Sequence, residues 1–570
     1  MARTKKVNGV IFRLVMIIVL IIISPNLALA EQAGAASGGT FGWLSLIPAL
    51  LAIVLALLIK EVIASLIIGI TAGTLILSWE NEGIIHGLFL RLPTLLKDEL
   101  ADPDHMSVVL FSALIGGTVH VITKNGGMMA LVKVIARKAT NARSGQLASY
   151  FLGLLIFFDD YANTMVVGNT MRPVTDRLKI SREKLAYIVD STAAPIAAIA
   201  FITTWIGAEL GYIQDGLKVV ADAGGTLGSA YGVFLHSLTY SFYPILTLVF
   251  MFILIWKKKD FGPMYKAEMK ARNEEMNIGK ERPGEVDDVP EVKEQIWNAI
   301  IPIAVIVFGT FAGLIYTGLQ SYTWDSYTGF GSNLSAVIGA SDSYSALVWA
   351  SFGGLLTAVI MTVSMGVQKL KDAIENALEG IKFMIPAIAI LALAWTLAAI
   401  TQELNTATYL ASLLGDGFMP EFLPAIVFVL SAMIAFATGT SWGTMAILYP
   451  LVLFSSWELA TAAGWSEIAI ASIFANVVSC VLAGSVLGDH CSPISDTTIL
   501  SSLATDCDHV AHVKTQLPYA LVVGVVSLLV GIIPAGFGLS PLISFPIAIF
   551  ILYLIVSYFG KMPDIREKAL

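Results

Sequence analysis

Residues Gly145–Met171, GQLASYFLGLLIFFDDYANTMVVGNTM, form an apolar stretch with a polar centre and basic residues beyond both ends. Arg143 precedes the stretch and Arg172 follows it. Because basic residues beside a span favour the cytoplasmic side, both ends should lie there. A single crossing cannot satisfy this condition, whereas two half-helices that turn near the midplane, at Phe158–Thr164, can. We therefore predict a re-entrant hairpin over residues 145–171.

A second apolar stretch, Phe422–Pro450, has a similar length and a polar, glycine-containing centre at Thr438–Thr444. Its flanks carry no Lys or Arg. Both of its ends can therefore lie on the outer side of the membrane. We predict a second re-entrant hairpin over residues 422–450, with the opposite orientation.

Each hairpin precedes a span that a proline interrupts. The first interruption is Asp190–Ile196, DSTAAPI, and the second is Gly488–Thr498, GDHCSPISDTT. Proline breaks the helical hydrogen-bond ladder, and nearby Ser, Thr and Asp side chains can bond the freed backbone groups. One hairpin unit starts from the inside and the other from the outside. This arrangement is typical of an inverted repeat with a binding site near the midplane.

The composition is that of a membrane protein. Apolar residues make up 56% of the 570 residues, charged residues 13%, and the mean hydropathy is +0.78, whereas soluble proteins carry about 25% charged residues. The net charge of −8 argues against nucleic acid as a partner. We predict an all-α polytopic protein of the lipid bilayer. Besides the hairpins it should have about eleven transmembrane helices, one of them a broken pair: Phe41–Leu58, Val62–Trp79, Met106–Ile122, Ala186–Ala208, Val233–Trp256, Ile296–Tyr316, Ala346–Val367, Phe383–Ile400, Ile468–Leu503, Leu517–Phe537 and Leu542–Phe559.

Charge divides the chain into segments. Residues 1–30 combine a basic start, an apolar run and Ala-Leu-Ala, which indicates a signal peptide or a retained first helix. Residues 41–256 form the predicted first transmembrane half, 257–295 a charged cytoplasmic connector and 296–570 the second half. The basic clusters place the C-terminus in the cytoplasm, and signal cleavage would leave the N-terminus extracytoplasmic. This topology fits a bacterial-type cytoplasmic (inner) membrane.

The first group of candidate functional residues lies at the turn of the first hairpin. Asp159 and Asp160 are adjacent carboxylates between apolar segments, where a charge is costly. Carboxylate oxygens suit a hard cation, and Asn163 and Thr164 could add neutral oxygens. The alternative for the two carboxylates is a structural cap on a half-helix.

The second group lies at the second interruption. Asp489 and Asp496 bracket it, and the unwound backbone between them should expose carbonyl oxygens that can bind a cation. Ser492, Ser495 and Thr497 add hydroxyl groups. We predict a Na⁺ site at Asp159, Asp160, Asp489 and Asp496, with these hydroxyls nearby.

The other polar groups are assigned as follows. Asp190 precedes the first interruption and is either a further ligand or a helix cap. Glu209 and Glu403 lie near the ends of their spans, and we expect them to be interfacial. Asp506–His512 is expected to form an interfacial loop. His490 has no partner at zinc-binding spacing and the chain has no phosphate-binding glycine loop, so we expect no cofactor and no ATP.

Two signature stretches carry a family resemblance. Phe157–Thr164, FFDDYANT, and Gly488–Thr498 resemble those of the NhaC-type Na⁺/H⁺ antiporter family, and Asp506–His509 and Gln516–Tyr519 are similar to it as well. The resemblance implies a fold of the ion-transporter superfamily, with two hairpins and elevator-like motion. By analogy with other elevator-type carriers, it also suggests a homodimer.

The sequence thus predicts a secondary active transporter that exchanges Na⁺ (or Li⁺) for H⁺ through buried carboxylates. The family also contains exchangers of organic acids, so a Na⁺/H⁺-coupled exchanger or symporter of a small organic acid or amino acid is the alternative. Another alternative is an intramembrane aspartyl protease, which resembles this chain in its Gly-x-Gly-Asp sequence pattern. Here Val486–Asp489 lacks the first glycine of that pattern. A scaffold or channel-like subunit is a further alternative. We do not expect an enzyme.

Overall fold

The computed structural model describes residues 41–59, 61–78, 83–273, 295–324, 329–406, 408–409 and 419–563. The predicted signal segment 1–30 and most of the predicted connector lie outside these ranges. In the described part, β-structure is limited to one isolated bridge between Asp260 and Lys561. All other regular structure is helical, which confirms the all-α fold class.

The helices of the first half are numbered here in chain order, with turns of three to six residues left unnumbered. They are α1 Ile47–Ile59, α2 Val62–Ser78, α3 Leu92–Ala101, α4 Pro103–Lys124, α5 Gly127–Ala136, α6 Ala142–Leu155, α7 Asp160–Arg177, α8 Arg182–Ala197, α9 Thr204–Asp222, α10 Ala230–Ser237, α11 Phe242–Lys257 and α12 Gly262–Asn273.

The second half continues the numbering. Its helices are α13 Trp297–Ser321, α14 Phe330–Gly339, α15 Ser343–Ser364, α16 Leu370–Glu403, α17 Leu423–Thr438, α18 Ser441–Ala462, α19 Glu467–Cys491, α20 Asp496–Thr505, α21 His509–Val526 and α22 Pro541–Phe559. Among the described residues, ten helical segments are long and apolar enough to cross a membrane, or eleven if the bent pair Ala230–Tyr240 and Phe242–Lys257 is one span.

The first predicted hairpin corresponds to α6 and α7. The helices are separated at Ile156–Asp159, within the polar centre that the sequence indicated. Asp159 has an extended backbone and its carboxylate accepts the N–H of Ala162 at 2.7 Å, so it caps the N-terminus of α7. The turn is thus stabilised by Asp159, one member of the acidic pair.

The second predicted hairpin corresponds to α17 and α18. Gly439 separates these helices with a φ of +72°, a conformation that glycine adopts without strain. Thr440 then caps α18 by accepting the N–H of Gly443. α18 runs to Ala462, beyond the predicted end at Pro450, because the helix accommodates that proline in its interior.

The second interruption lies where the sequence predicted it, and the first does not. α19 ends at Cys491 and α20 begins at Asp496. In contrast, α8 runs through Asp190 and ends at Ala197, and the break falls at residues 198–203. Pro195 lies in the last turn of α8, two residues before the helix ends. The break is closed by Thr203, which caps α9.

The start of the predicted connector is packed against the rest of the protein. α12 buries Glu268, whose carboxylate accepts the N–H and hydroxyl of Ser181 at 2.8 and 2.7 Å. Asp260 is buried beside Lys184 at 2.6 Å. Residues 257–273 therefore belong to the helical body instead of to a solvated linker. Burial is also the main cause of the raised pKa of Glu268.

Candidate functional site

The tips of the two hairpins meet at a central cavity of about 470 Å³. The first hairpin contributes Asp159 and Asp160, the second contributes Thr440, and α20 contributes Asp496. Each tip also contacts the break that follows it in sequence. The N–H of Thr204 donates to the Phe158 carbonyl at 3.0 Å, and the N–H of Asp496 reaches the Gly439 carbonyl at 3.4 Å.

The two carboxylates of the first tip have different surroundings. Asp159 acts as the α7 cap described above, so its structural role is fulfilled by a backbone N–H. Asp160 is only 2% exposed, and its Oδ1 atom has no hydrogen-bond partner. Buried polar atoms without a protein partner are rare, and they generally bind ordered water or an ion. Asp160 is therefore the stronger functional candidate of the two.

Asp496 joins the second break to the first hairpin. One of its carboxylate oxygens accepts the hydroxyl of Tyr161 at 2.5 Å, and the other accepts the N–H of Thr497 at 2.8 Å. Because Asp160 and Asp496 line the same cavity, the structure brings carboxylates from both halves of the chain together.

Asp489 lies in the last turn of α19 and reaches the second hairpin tip. Its Oδ2 atom accepts the N–H of Ser441 at 3.0 Å and also the Ser441 hydroxyl. Its Oδ1 atom has no hydrogen-bond partner, although the residue is only 1% exposed. Asp489 thus resembles Asp160 in offering a buried carboxylate oxygen that the fold does not use.

Asp190 is buried in the interior of α8 and faces the second break from the other side. Its carboxylate accepts bonds from the Thr498 hydroxyl at 3.1 Å and the Gln516 amide at 2.5 Å. The Thr498 hydroxyl also reaches the Asp489 carbonyl at 3.2 Å. Asp190 therefore holds the backbone of the break and does not cap a helix.

Most of the predicted neutral ligands already have partners in the protein. The Thr164 hydroxyl donates to the Asp160 carbonyl at 2.8 Å, and the Ser492 hydroxyl donates to the Phe436 carbonyl at 2.8 Å. Ser495 and Thr497 share a hydroxyl contact of 3.0 Å. These side chains shape the breaks.

The amide of Asn163 ties α7 to two other parts of the first half. It donates to the backbone carbonyls of Gly153, Ile156 and Thr192 at 2.7 to 3.3 Å. Its Oδ1 atom has no hydrogen-bond partner. Asn163 is the only one of the predicted neutral ligands discussed here whose side-chain oxygen is both buried and unpartnered.

Several groups at the site were not singled out from the sequence. Tyr161 and Ser441 lie inside the quoted polar turns, so position alone could have indicated them. His512 was expected in an interfacial loop, but it is fully buried in α21 and contacts Ser502 at 2.9 Å and Gln516 at 3.0 Å. That expectation was wrong because the loop ends at Asp508, which caps α21.

Glu209 and Glu403, both expected at the membrane interface, differ in their exposure. Glu403 is 39% exposed and pairs with Arg91, as expected for an interfacial group. Glu209 is 1% exposed, and its Oε2 atom lacks a partner. The prediction of an interfacial Glu209 is wrong because the break places Glu209 in the second turn of α9, inside the bundle.

The charge balance of the site is acidic. Lys382, an exposed residue of α16, is the one cation among the described residues that line the central cavity. Within the described ranges, no three His, Cys, Asp or Glu side chains are arranged as a metal site. A cation here would be held by one or two carboxylates together with hydroxyl and carbonyl oxygens.

Comparison with known proteins identifies the family to which the chain is similar. The sequence profile described as the Na⁺/H⁺ antiporter family matches residues 199–537. The chain is 34% identical over 504 residues to an uncharacterised protein of Haemophilus influenzae, covering 88% of this chain and 92% of that protein. It is also 29% identical over 246 residues to the arginine/ornithine antiporter ArcD of Halobacterium salinarum, covering 42% of each.

The fold has solved counterparts among transporters. The crystal structure of the YdaH transporter of Alcanivorax borkumensis superposes with a TM-score of 0.56 at 15% identity, covering 87% of this chain and 99% of that one. This likeness concerns the fold alone. The sequence matches confirm the family resemblance drawn from Gly488–Thr498. This multi-pass membrane protein therefore belongs to the Na⁺/H⁺ antiporter family.

Proposed function

We propose that the protein exchanges Na⁺ (or Li⁺) for H⁺ by letting the two ions occupy the same buried carboxylates in turn. The observation that carries this proposal is two unpartnered oxygens: Asp160 Oδ1, in a residue that lines the central cavity, and Asp489 Oδ1, in a residue that does not line it but bonds the second hairpin tip through Ser441. An ionised carboxylate at this depth is costly without a counter-charge. Either a proton or a small cation supplies that neutralisation, and binding of one disfavours the other.

The oxygen atoms around these carboxylates suit a small hard cation. Asp496 faces the same cavity as Asp160, and the Asn163 Oδ1 atom is an unpartnered neutral oxygen on the same helix as Asp160. Carboxylate and neutral oxygens are the ligands that hard cations prefer. In this proposal Asp159 positions the backbone of the first hairpin tip, and Asp190 positions the second break.

Alternating access would come from movement of the hairpins and broken helices against the remaining helices. The two hairpin units, α6–α9 and α17–α20, have the same order of helix, tip, helix and interrupted helix. That order supports an inverted repeat and an elevator-like motion. A homodimer in a bacterial-type inner membrane, with the basic loops in the cytoplasm, is part of the same proposal.

The experiment uses everted membrane vesicles with an imposed pH gradient and a pH-sensitive dye. Adding Na⁺ or Li⁺ should dissipate the gradient, whereas K⁺ should not. Everted vesicles that lack the protein provide the control for leak. A gradient that responds equally to all three cations, or to none, would contradict the proposal.

The likeness to an arginine/ornithine antiporter favours a second candidate, a Na⁺/H⁺-coupled carrier of a small organic acid or amino acid. The central cavity of about 470 Å³ could hold a solute larger than a cation, and Lys382 at its lining could attract a carboxylate. The same vesicles separate the two functions. Na⁺ flux that requires an added organic acid or amino acid would favour the second candidate.

A further inference from the structure

A second polar cavity, of about 220 Å³, lies at the opposite end of α9 from the hairpin tips. His105 lies in its wall: Nε2 lies 2.9 Å from Asp215 Oδ1, and Nδ1 lies 2.8 Å from the Glu99 carbonyl oxygen and 3.4 Å from Glu99 Oε2. The imidazole stacks on Trp395 with ring centroids 4.0 Å apart. An imidazole in contact with carboxylates can accept a proton and pass it on.

Along α9, a series of buried polar atoms connects this cavity with the central one. Trp205 Nε1, Glu209 Oε2, Tyr212 Oη and Asp215 Oδ2 all lack hydrogen-bond partners. Their spacings of four, three and three residues place them on one face of the helix, over about 15 Å. The indole N–H of Trp205 is directed towards the Asp160 carboxylate but does not reach hydrogen-bond geometry. Tyr212 and Asp215 line the second cavity.

Three of these four groups are too deeply buried for their missing partners to be an effect of surface exposure, whereas the Asp215 side chain at the second cavity is 20% exposed. Trp205 and Glu209 are 1% exposed and Tyr212 is 2% exposed. Buried polar groups without a protein partner generally bind ordered water or an ion. Three buried unpartnered atoms in succession on one helix face, leading to Asp215 at the second cavity, indicate a hydrated route.

From this series we infer that the α9 face is the proton path of the exchanger, with the Glu99–His105–Asp215 cavity as its port and Glu209 as the intermediate proton carrier. This inference rests on the proposed Na⁺/H⁺ exchange. In the inward direction, a proton passes from the port through Tyr212 and water to the Glu209 carboxylate, and from there through water to Asp160. Trp205 only donates, so it orders water on this route without carrying the proton.

Most of the other polar groups around the port have partners within the protein. Lys218 pairs with Asp102 at 3.0 Å. The hydroxyl of Tyr344 donates to the Leu210 carbonyl at 2.9 Å, and that of Tyr449 donates to the Val478 carbonyl at 3.0 Å. Asp104 and Asp342 add negative charge nearby.

The electrostatics of the port are compatible with proton uptake. Burial raises the pKa of Glu99 to about 7. Glu99 lies on α3, outside the segments that can span the membrane. The port therefore carries a carboxyl group that exchanges protons with its surroundings in the neutral range.

The test compares two kinds of exchange in proteoliposomes that contain the full-length chain. Na⁺/H⁺ exchange requires the proton path, whereas exchange of tracer Na⁺ for Na⁺ at equal pH requires only the cation site. Glu209→Gln should slow Na⁺/H⁺ exchange by at least about tenfold and leave Na⁺/Na⁺ exchange near the wild-type rate. Asp222→Asn, at the exposed end of the same helix, is the matched control and should change neither rate.

Tyr212→Phe provides a second variant in case Glu209→Gln does not fold, because it removes only the unpartnered hydroxyl. It should also slow Na⁺/H⁺ exchange selectively. Unchanged Na⁺/H⁺ exchange in both variants would overturn the path, and so would equal loss of both kinds of exchange in correctly inserted protein. A wild-type protein without Na⁺/H⁺ exchange would instead contradict the proposed function on which the path rests.

Discussion

The hydroxyl of Tyr161 donates to the carboxylate of Asp496, so the tip of the first hairpin is bonded directly to the second break. The two residues are 335 positions apart in sequence. This contact makes the first and second halves of the chain share one site. It also links the geometry of the hairpin to the ionisation of a carboxylate that lines the central cavity.

The Tyr161 hydroxyl should favour cation binding by stabilising the ionised form of Asp496. In Tyr161→Phe this donor is lost, while the ring can still pack edge-on against Phe383. Hydrogen bonds to charged groups contribute about 1.5–3 kcal/mol, so the Na⁺ concentration for half-maximal exchange should rise roughly tenfold or more. Tyr558→Phe, at an exposed position, is the control. An unchanged Na⁺ dependence in Tyr161→Phe would show that the contact has no role in binding.

Gly439 should be required for the second hairpin to contact the second break. A Cβ atom there would lie 2.5 Å from the Ile494 carbonyl oxygen, in addition to the strain of a φ of +72°. Gly464 has a similar φ of +74° but no atom within 4 Å of its Cβ position. Gly439→Ala should therefore lower both the thermal midpoint and the exchange rate, whereas Gly464→Ala should show only backbone strain of roughly 1 kcal/mol. Equal effects of the two substitutions would contradict this close contact.

Removing one member of the buried Lys184–Asp260 ion pair should destabilise the protein more than removing both members. Removing one partner of a buried pair leaves an uncompensated charge and costs about 3–5 kcal/mol. Lys184→Met should therefore lower the thermal midpoint in detergent strongly. Lys184→Met combined with Asp260→Leu should recover most of the loss. A double variant as unstable as the sum of the single variants would show that the two side chains act independently.

Glu99 should make stability depend on pH. Burial raises its pKa from 4.5 to about 7, so the folded protein binds more protons than the unfolded chain between these values. Stability from this group is therefore lost as the pH rises from about 4.5 to 7. In Glu99→Gln the loss is absent, so its thermal midpoint relative to wild type should be higher at pH 8 than at pH 5. Asp98→Asn controls for removal of one charge from the same helix. A difference that falls with pH would contradict the burial of Glu99.

Polar residues within apolar stretches allowed the helix boundaries at Ile156–Asp159 and Gly439, and the second break, to be predicted. The re-entrant course of the two helix pairs stays a prediction. Asp159 and Thr440 each start a helix by capping it, and such residues are visible in a sequence. The first break was misplaced because residues 198–203, AIAFIT, contain five apolar residues. Pro195, which suggested the break, is accommodated by the last turn of α8.

The candidate carboxylates could be predicted individually, but their partners could not. The contacts of Asp190 with Thr498 and Gln516 depend on how α8 packs against α20 and α21. The burial of Glu209 follows from the same packing. A single Glu after an apolar run is compatible with either an interfacial or a core position, because sequence hydropathy does not determine how deeply a residue is buried.

If buried carboxylates bind Na⁺ and H⁺ in turn, Na⁺ binding to the protein must release protons. Purified protein in weakly buffered detergent solution is titrated with Na⁺ while the pH is recorded, with K⁺ as the control. We expect Na⁺ to acidify the solution of the wild-type protein. Asp160→Asn and Asp489→Asn should each strongly reduce this proton release. Na⁺ binding without acidification, or undiminished acidification in both variants, would contradict binding of the two ions in turn.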